Sequence, residues 1–174
     1  KEIRIGKSTD PEFACIVDPD KPIEDIEICK LTEGTETIDG ETKKVYYIDS
    51  VCDMYEFSYR VNAGESFNGN IIKLRNDLDM SNIENISDKL KSKYNTTEFS
   101  PIGSETKPFS GTFDGGAKII SNLTINKPNQ DNVGLFGYAK GINSTNRANI
   151  YGVRINGATV NGRQKVGGLV GYIG

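Results

Sequence analysis

The chain of 174 residues contains no histidine. That absence removes Ser-His-Asp and Cys-His catalysis, and with them most zinc hydrolases, because no imidazole can shuttle a proton or complete a ligand set. Cysteine is scarce as well: Cys15, Cys29 and Cys52 lie in the first third. An odd count at wide spacing is neither a disulfide scaffold nor a CxxC pair. Buried free thiols or one disulfide are the leading readings, with a Cys15–Cys29 bridge open to an extracellular protein. Three thiolates on zinc would lack the usual histidine partner. Cys52 has no basic neighbour in sequence to lower its pKa, so it does not read as a nucleophile. No apolar run approaches the ~20 residues that span a bilayer, so no membrane insertion is expected. No leader pattern opens the chain, and Lys1 is expected to begin a trimmed sequence. Residues 169–174 stop inside a repeat without a polar cap, so the natural protein is expected to continue.

What remains is ordinary in size and composition, with 36% hydrophobic and 26% charged residues, enough to bury a core. The net charge of −3 hides an asymmetry. Residues 1–66 hold 16 acids and 8 bases, a net of −8, whereas residues 67–174 hold 8 acids and 13 bases, a net of +5. The later bases are dispersed, as at Lys118, Lys127, Lys140, Arg147 and Arg154. A nucleic-acid surface needs them clustered with stacking aromatics, so no nucleic-acid partner is expected.

The tail nearly repeats itself. Residues 132–138 read Asn-Val-Gly-Leu-Phe-Gly-Tyr and residues 166–172 read Val-Gly-Gly-Leu-Val-Gly-Tyr, with Gly134 and Gly168 separated by 34 residues. Between them, 122–125 (Asn-Leu-Thr-Ile) and 152–155 (Gly-Val-Arg-Ile) recur 30 residues apart. Short alternating apolar segments in one order at one period point to a stacked β array. Leu123, Ile125, Val153 and Ile155 are assigned inward, and Thr124 and Arg154 outward. The Gly-Leu-x-Gly glycines fit a tight corner or a close approach of stacked backbones. A β-sandwich would alternate similarly but gives no reason for near-identical heptapeptides.

Upstream, the spacing divides the chain in three. Residues 1–48 form an acidic region with a hairpin expected from about 26 to 48, turning at Asp39-Gly40, after a proline loop at 18–22. Residues 49–66 change to helical period: Asp49 or Ser50 caps, Val51, Met54, Tyr55, Ser58 and Val61 share a face, and Gly64 stops the helix. Such a helix is suited to cover the apolar end of the stack. Residues 67–174 then hold the repeats, starting with Ile72, Leu74, Leu78 and Met80 pointing inward. A short helix or ordered loop is expected where Ile83, Ile86, Leu90 and Tyr94 recur. The fold class is therefore mainly β: a right-handed parallel β-helix of few coils, with an N-terminal capping helix and a small β-hairpin.

These residues resemble a known family. Residues 134–137 and 168–171 are similar to the GLUG motif, Gly-Leu-hydrophobic-Gly, of bacterial surface proteins. The resemblance extends through 61–64, 72–81, 99–103, 109–115 and 120–125 in that order, and so covers about 48–174. Gly116-Ala117 departs from the usual Asn-Gly there and touches the local turn type. The resemblance implies a right-handed β-helix, secretion to the cell surface, and adhesin-like or peptidase-bearing modules elsewhere in a longer protein. It carries over no catalytic residue.

The chemistry found in the residues is thin. Asp77 and Asp79 leave a strand on one side, roughly 7 Å apart at Cα. They could serve as glycosidase acids or calcium ligands. Turn hydrogen bonding is the competing role, and it is preferred because no later coil repeats the acids. Residues 115–118 lack phosphate-loop spacing. Tyr138 and Tyr172 occupy equivalent positions suited to a stacked ladder. Four Asn-x-Ser/Thr sequons, at Asn85, Asn95, Asn122 and Asn143, are close to what composition alone produces. The expected function is a non-catalytic structural or adhesive module at the cell surface, with no cofactor and no metal, whose partners are a host or cell-wall glycan or protein and further domains of its own chain. The alternative is a carbohydrate-active enzyme working through Asp77 and Asp79.

Overall fold

The computed structural model describes residues 29–38, 40–83 and 86–174. Cys15, the 18–22 loop, the first residues of the expected hairpin arm, Asp39 and Asn85 lie outside the described residues. The described chain is mainly β, with two helices.

It opens with an antiparallel pair, β1 (Thr32–Ile38) and β2 (Glu41–Ile48), in register from Thr32↔Tyr47 to Ile38↔Glu41. Helix α1 (Val51–Ala63) follows. Ser50 accepts from the Asp53 amide while the Asp53 carboxylate accepts from the Ser50 amide at 3.0 Å, a reciprocal cap that fixes where the helix starts. Gly64, at φ 120°, ends it. Among the described residues the first arm is strand from Thr32, and residues 26–28 of the expected arm lie outside them. Cys29 takes a positive φ of 70° and is bonded through a disulfide to Cys52 on the first turn of α1, with 4.7 Å between their Cα atoms. The bridge to Cys15 is thereby corrected: the partner of Cys29 is the cysteine that the helix presents to it.

Helix α1 buries Cys52, Met54, Tyr55, Phe57, Ser58 and Val61. Phe57 was absent from the face read in sequence, yet 54, 57, 58 and 61 form an i, i+3, i+4, i+7 stripe. It is the aromatic hub of the core. Its ring lies 5.3 Å from Phe67, 5.5 Å from Phe109, 5.8 Å from Phe113 and 6.3 Å from Phe136.

The next strands are β3 (Ile71–Leu74) and β4 (Leu78–Asp79), followed by α2 (Ser87–Tyr94), the short helix expected near Leu90. Then come β5 (Thr112–Asp114), β6 (Ile119–Ser121), β7 (Thr124–Val133) and β8 (Phe136–Ala139). The last set is β9 (Asn149–Tyr151), β10 (Arg154–Asn156), β11 (Thr159–Val166) and β12 (Val170–Ile173).

Apart from β1 with β2, every ladder among the described residues is parallel. One sheet runs β1-β2-β3-β5-β9, another β10-β6-β4, and two pairs are β11-β7 and β12-β8. Partners such as Phe136 and Val170 stand 34 residues apart, and Ile120 and Ile155 stand 35 apart. The Phe136 amide donates to the Leu169 carbonyl at 2.9 Å. Like side chains therefore stack: Tyr46 meets Ile72, then Phe113, then Ile150, and Leu78 meets Ile120, then Ile155. Leu123 and Ile125 are buried, Val153 and Ile155 half-buried, and Thr124 and Arg154 exposed. The hairpin shares this core, to which Cys29, Leu31, Tyr46 and Ile48 all contribute.

Two details explain the sequence. Strand β7 is ten residues long although it contains Pro128, because its register against β11 shifts between Gly162 and Gln164, and Pro128 lies within the skipped stretch. A Cβ on Gly134 would sit 2.6 Å from the Gly167 carbonyl oxygen, so close approach of neighbouring backbones demands glycine there.

Candidate functional site

Asp77 and Asp79 flank Leu78 on β4. The intervening side chain is buried, as is Met80, so both carboxylates are turned outward. Each is then taken up by neighbouring backbone and side chains. Asp77 Oδ1 accepts from the Ile119 amide at 2.8 Å. Asp79 Oδ1 accepts from the Ser81 amide at 3.1 Å, the Ser81 hydroxyl at 2.7 Å and Asn122 Nδ2 at 2.9 Å. The hydrogen bond from Asn122, followed by those from Ser81, holds the Asp79 carboxyl below its ordinary range. A glycosidase acid needs the opposite shift. Beside them, Asp49 is gripped by the Arg75 guanidinium through two hydrogen bonds, one at 2.6 Å. Among the described residues no group of three His, Cys, Asp or Glu side chains could hold a metal ion. The acids at this mouth tie one strand layer to the next.

A second cleft, about 100 Å³, lies between α1 and α2. Its tyrosines are structural anchors. The Tyr94 hydroxyl donates to Glu56 at 2.5 Å, and Lys93 Nζ lies 2.9 Å from the same carboxylate. Burial first, and the Glu56 hydrogen bond second, raise the Tyr94 phenol. Tyr55 donates to the Thr97 carbonyl at 2.7 Å and is pushed up to about 12, chiefly by burial. Both phenols stay protonated near neutrality and offer no base. Ser58 donates to the Ser100 carbonyl at 2.7 Å, and Asn62 bridges Pro101 and Gly103. Tyr59 alone leaves a broad ring half-exposed, leaning on Tyr94 with 5.0 Å between centroids.

On the face carrying the repeated motif, Tyr138 and Tyr172 stack at 4.5 Å between centroids and 26° between planes, and the Lys165 ammonium sits 4.9 Å from the Tyr172 centroid. The equivalent tyrosines thus form the ladder their spacing suggested, with a cation on its outer face. Asn95, at φ 57°, ends α2, Asn122 binds Asp79, and Asn143 accepts from Thr145 and Asn146. Three of the four sequon asparagines therefore have structural work.

One feature was missed in sequence. Lys43 on β2, Asn68 before β3, Ser110 and Thr112 at β5, and Arg147 and Asn149 at β9 line a groove of about 150 Å³. Its segments stand 25, 42 and 37 residues apart, from Lys43 to Asn68, Ser110 and Arg147, so the parallel sheet is what brings them together. Polar residues at or just before the starts of β3, β5 and β9, such as Asn68, Ser110 and Arg147, were the available signal.

No family model matches the chain, and no solved structure matches it. The chain is similar to halomucin of Haloquadratum walsbyi, with 26% identity over 160 residues that cover 78% of this chain. The match spans 2% of halomucin's own length. No helix among the described residues is long and apolar enough to cross a membrane.

Proposed function

We propose that this chain is a non-catalytic structural and adhesive segment of a bacterial surface protein, built as a right-handed parallel β-helix of the GLUG type. The observation that carries the reading is the set of register-matched parallel ladders one repeat apart. They pair Ile120 with Ile155, Ile125 with Val160 and Phe136 with Val170, so that a buried apolar side chain in one layer is followed by a half-buried one in the next. A stack of this kind is stiff, because each coil shares a hydrogen-bonded edge with the next. It can hold a ligand surface away from the cell wall or space other domains of a longer chain. The Cys29–Cys52 disulfide and the likeness to halomucin, a mucin by its name, support a place outside the cytoplasm.

The alternative enzyme would use Asp77 and Asp79, whose hydrogen bonds to Ile119, Ser81 and Asn122 favour the architectural role. Incubation with a panel of plant, bacterial and host polysaccharides, followed by reducing-end and unsaturated-product assays, tests the choice. The expected result is no turnover, with saturable binding to a glycan or matrix protein on the same panel. Turnover abolished in the Asp77→Asn, Asp79→Asn double variant would overturn the proposal.

A further inference from the structure

The groove across the strand ends of β2, β3, β5 and β9 has the chemistry of a ligand site. Two cations border it. Lys43 has an exposed acid, Glu41, at 3.8 Å, and the Arg147 guanidinium reaches the Ser144 carbonyl through Nε at 3.2 Å. No carboxylate lies within ion-pair distance of Arg147 among the described residues, and no acid lines the groove. By contrast, Arg60, Arg75 and Arg163 each grip a carboxylate.

One group lining it holds a buried polar atom without a partner. Asn68 Oδ1 is buried and receives no hydrogen bond. A buried polar atom without a partner costs roughly 1–3 kcal/mol. Ser110, 4% exposed, also lines the groove. Asn149 and the Thr145 side chain add further polar groups along the rim. The strands beneath are successive members of one sheet, each about 4.8 Å from the next, so the groove crosses three spacings, about 14 Å. That length suits an oligomer.

We infer that this groove binds an acidic oligosaccharide, with its carboxylate or sulfate groups on Lys43 and Arg147 and its ring hydroxyls on Asn68 and Ser110. Guanidinium forks match carboxylate and sulfate oxygens bidentately, and the hydroxyl and amide groups between the cations complement sugar hydroxyls. An acidic peptide would need apolar side-chain pockets, which a lining this polar does not supply. The inference rests on the binding-module reading and names its ligand class.

Calorimetric titration of the whole chain with an oligogalacturonate, a sulfated heparin hexasaccharide, a neutral cellohexaose and hexaglutamate tests it. One or both acidic saccharides should bind, at least tenfold tighter than cellohexaose and hexaglutamate, and more weakly as salt rises. The relative strength of the two separates carboxylate from sulfate recognition. Lys43→Gln with Arg147→Gln should weaken binding at least tenfold, as should Asn68→Asp, which keeps shape and adds a repelling charge. Lys118→Gln, a charge-matched control, should change affinity less than twofold, and all variants should keep the parental melting temperature. Unchanged affinity in the groove variants, preference for hexaglutamate, or failure of both acidic saccharides to bind would overturn the inference. Those outcomes leave the adhesive reading to its own matrix-protein and glycan screen, whereas saccharide turnover would remove that reading instead.

Discussion

Gly134 and Gly168 occupy the same place in the repeated motif, and sequence alone treats them as equivalent. Their surroundings differ. A methyl group on Gly134 would meet the Gly167 carbonyl oxygen at 2.6 Å and the Gly171 amide nitrogen at 3.1 Å. A methyl group on Gly168 would meet nothing within 4 Å, and Gly168 does not take a positive φ. Gly134→Ala must push two hydrogen-bonded strands apart, and overpacking of this kind destabilises by about 1–3 kcal/mol. Gly168→Ala mainly restricts the unfolded chain, which stabilises by about 0.4–1 kcal/mol. At this chain length 1 kcal/mol moves the melting temperature by about 2–4 °C. Differential scanning calorimetry should therefore show Gly134→Ala melting lower by about 2–12 °C, and Gly168→Ala unchanged or slightly higher. Urea midpoints should move the same way at constant slope. Equal losses at both positions would refute the reasoning, because they would mean that Gly168 is packed as tightly as Gly134.

Phe57→Ala removes the ring that four other phenylalanines surround and should cost about 3–5 kcal/mol, read as a loss of urea midpoint. Reducing the disulfide between Cys29 and Cys52, separated by 23 positions, should lower stability by about 3 kcal/mol, seen as a dithiothreitol-dependent drop in melting temperature. The carboxyls of Glu36, Asp49 and Asp131 are held low by hydrogen bonds from Lys73, Arg75 and Arg163 respectively. A lowered folded-state pKa contributes stability that is fully present above the unfolded value, about 4, and is lost as pH falls through the folded value. Melting temperature should accordingly be flat from pH 6 to 8 and fall below about pH 4, more shallowly in an Asp49→Asn, Asp131→Asn variant. Asp77→Ala, which strips the acceptor from the Ile119 amide, should cost about 0.5–1.5 kcal/mol in the same assays.

Much of the fold was legible because its signals are local or periodic. The Ser50 cap, the Gly64 stop and the inward phase of Leu78, Leu123 and Ile125 are each readable within a few residues, and the motif pair announces which strands are neighbours. What escaped depends on contacts between distant residues. Phe57 lies one step around the helix from the face chosen, and its value comes from Phe67, Phe109, Phe113 and Phe136, which no window around residue 57 contains. The Cys29–Cys52 pairing needed the helix to turn back on the chain before β1. The groove needed four segments stacked in one sheet, so Lys43 and Arg147, more than a hundred residues apart, read as unrelated surface bases.

Charge placement separates scaffold from interaction surface in this molecule. Where a carboxylate meets a cation or an amide of another layer, as at Asp77 with Ile119, Asp49 with Arg75, Asp131 with Arg163 and Glu98 with Lys127, the contact joins segments 26 to 42 residues apart and fixes their register. These pairs are exposed, so each adds little stability, but each penalises a slipped alignment in which a like charge or a bare amide would face it. The groove differs: no acid lines it, Arg147 has no carboxylate within ion-pair distance among the described residues, and Asn68 Oδ1 is buried without a partner, as Asn132 Oδ1 is elsewhere. On the inference drawn above, charge in that row serves a bound saccharide, whereas charge elsewhere serves the register of the strands.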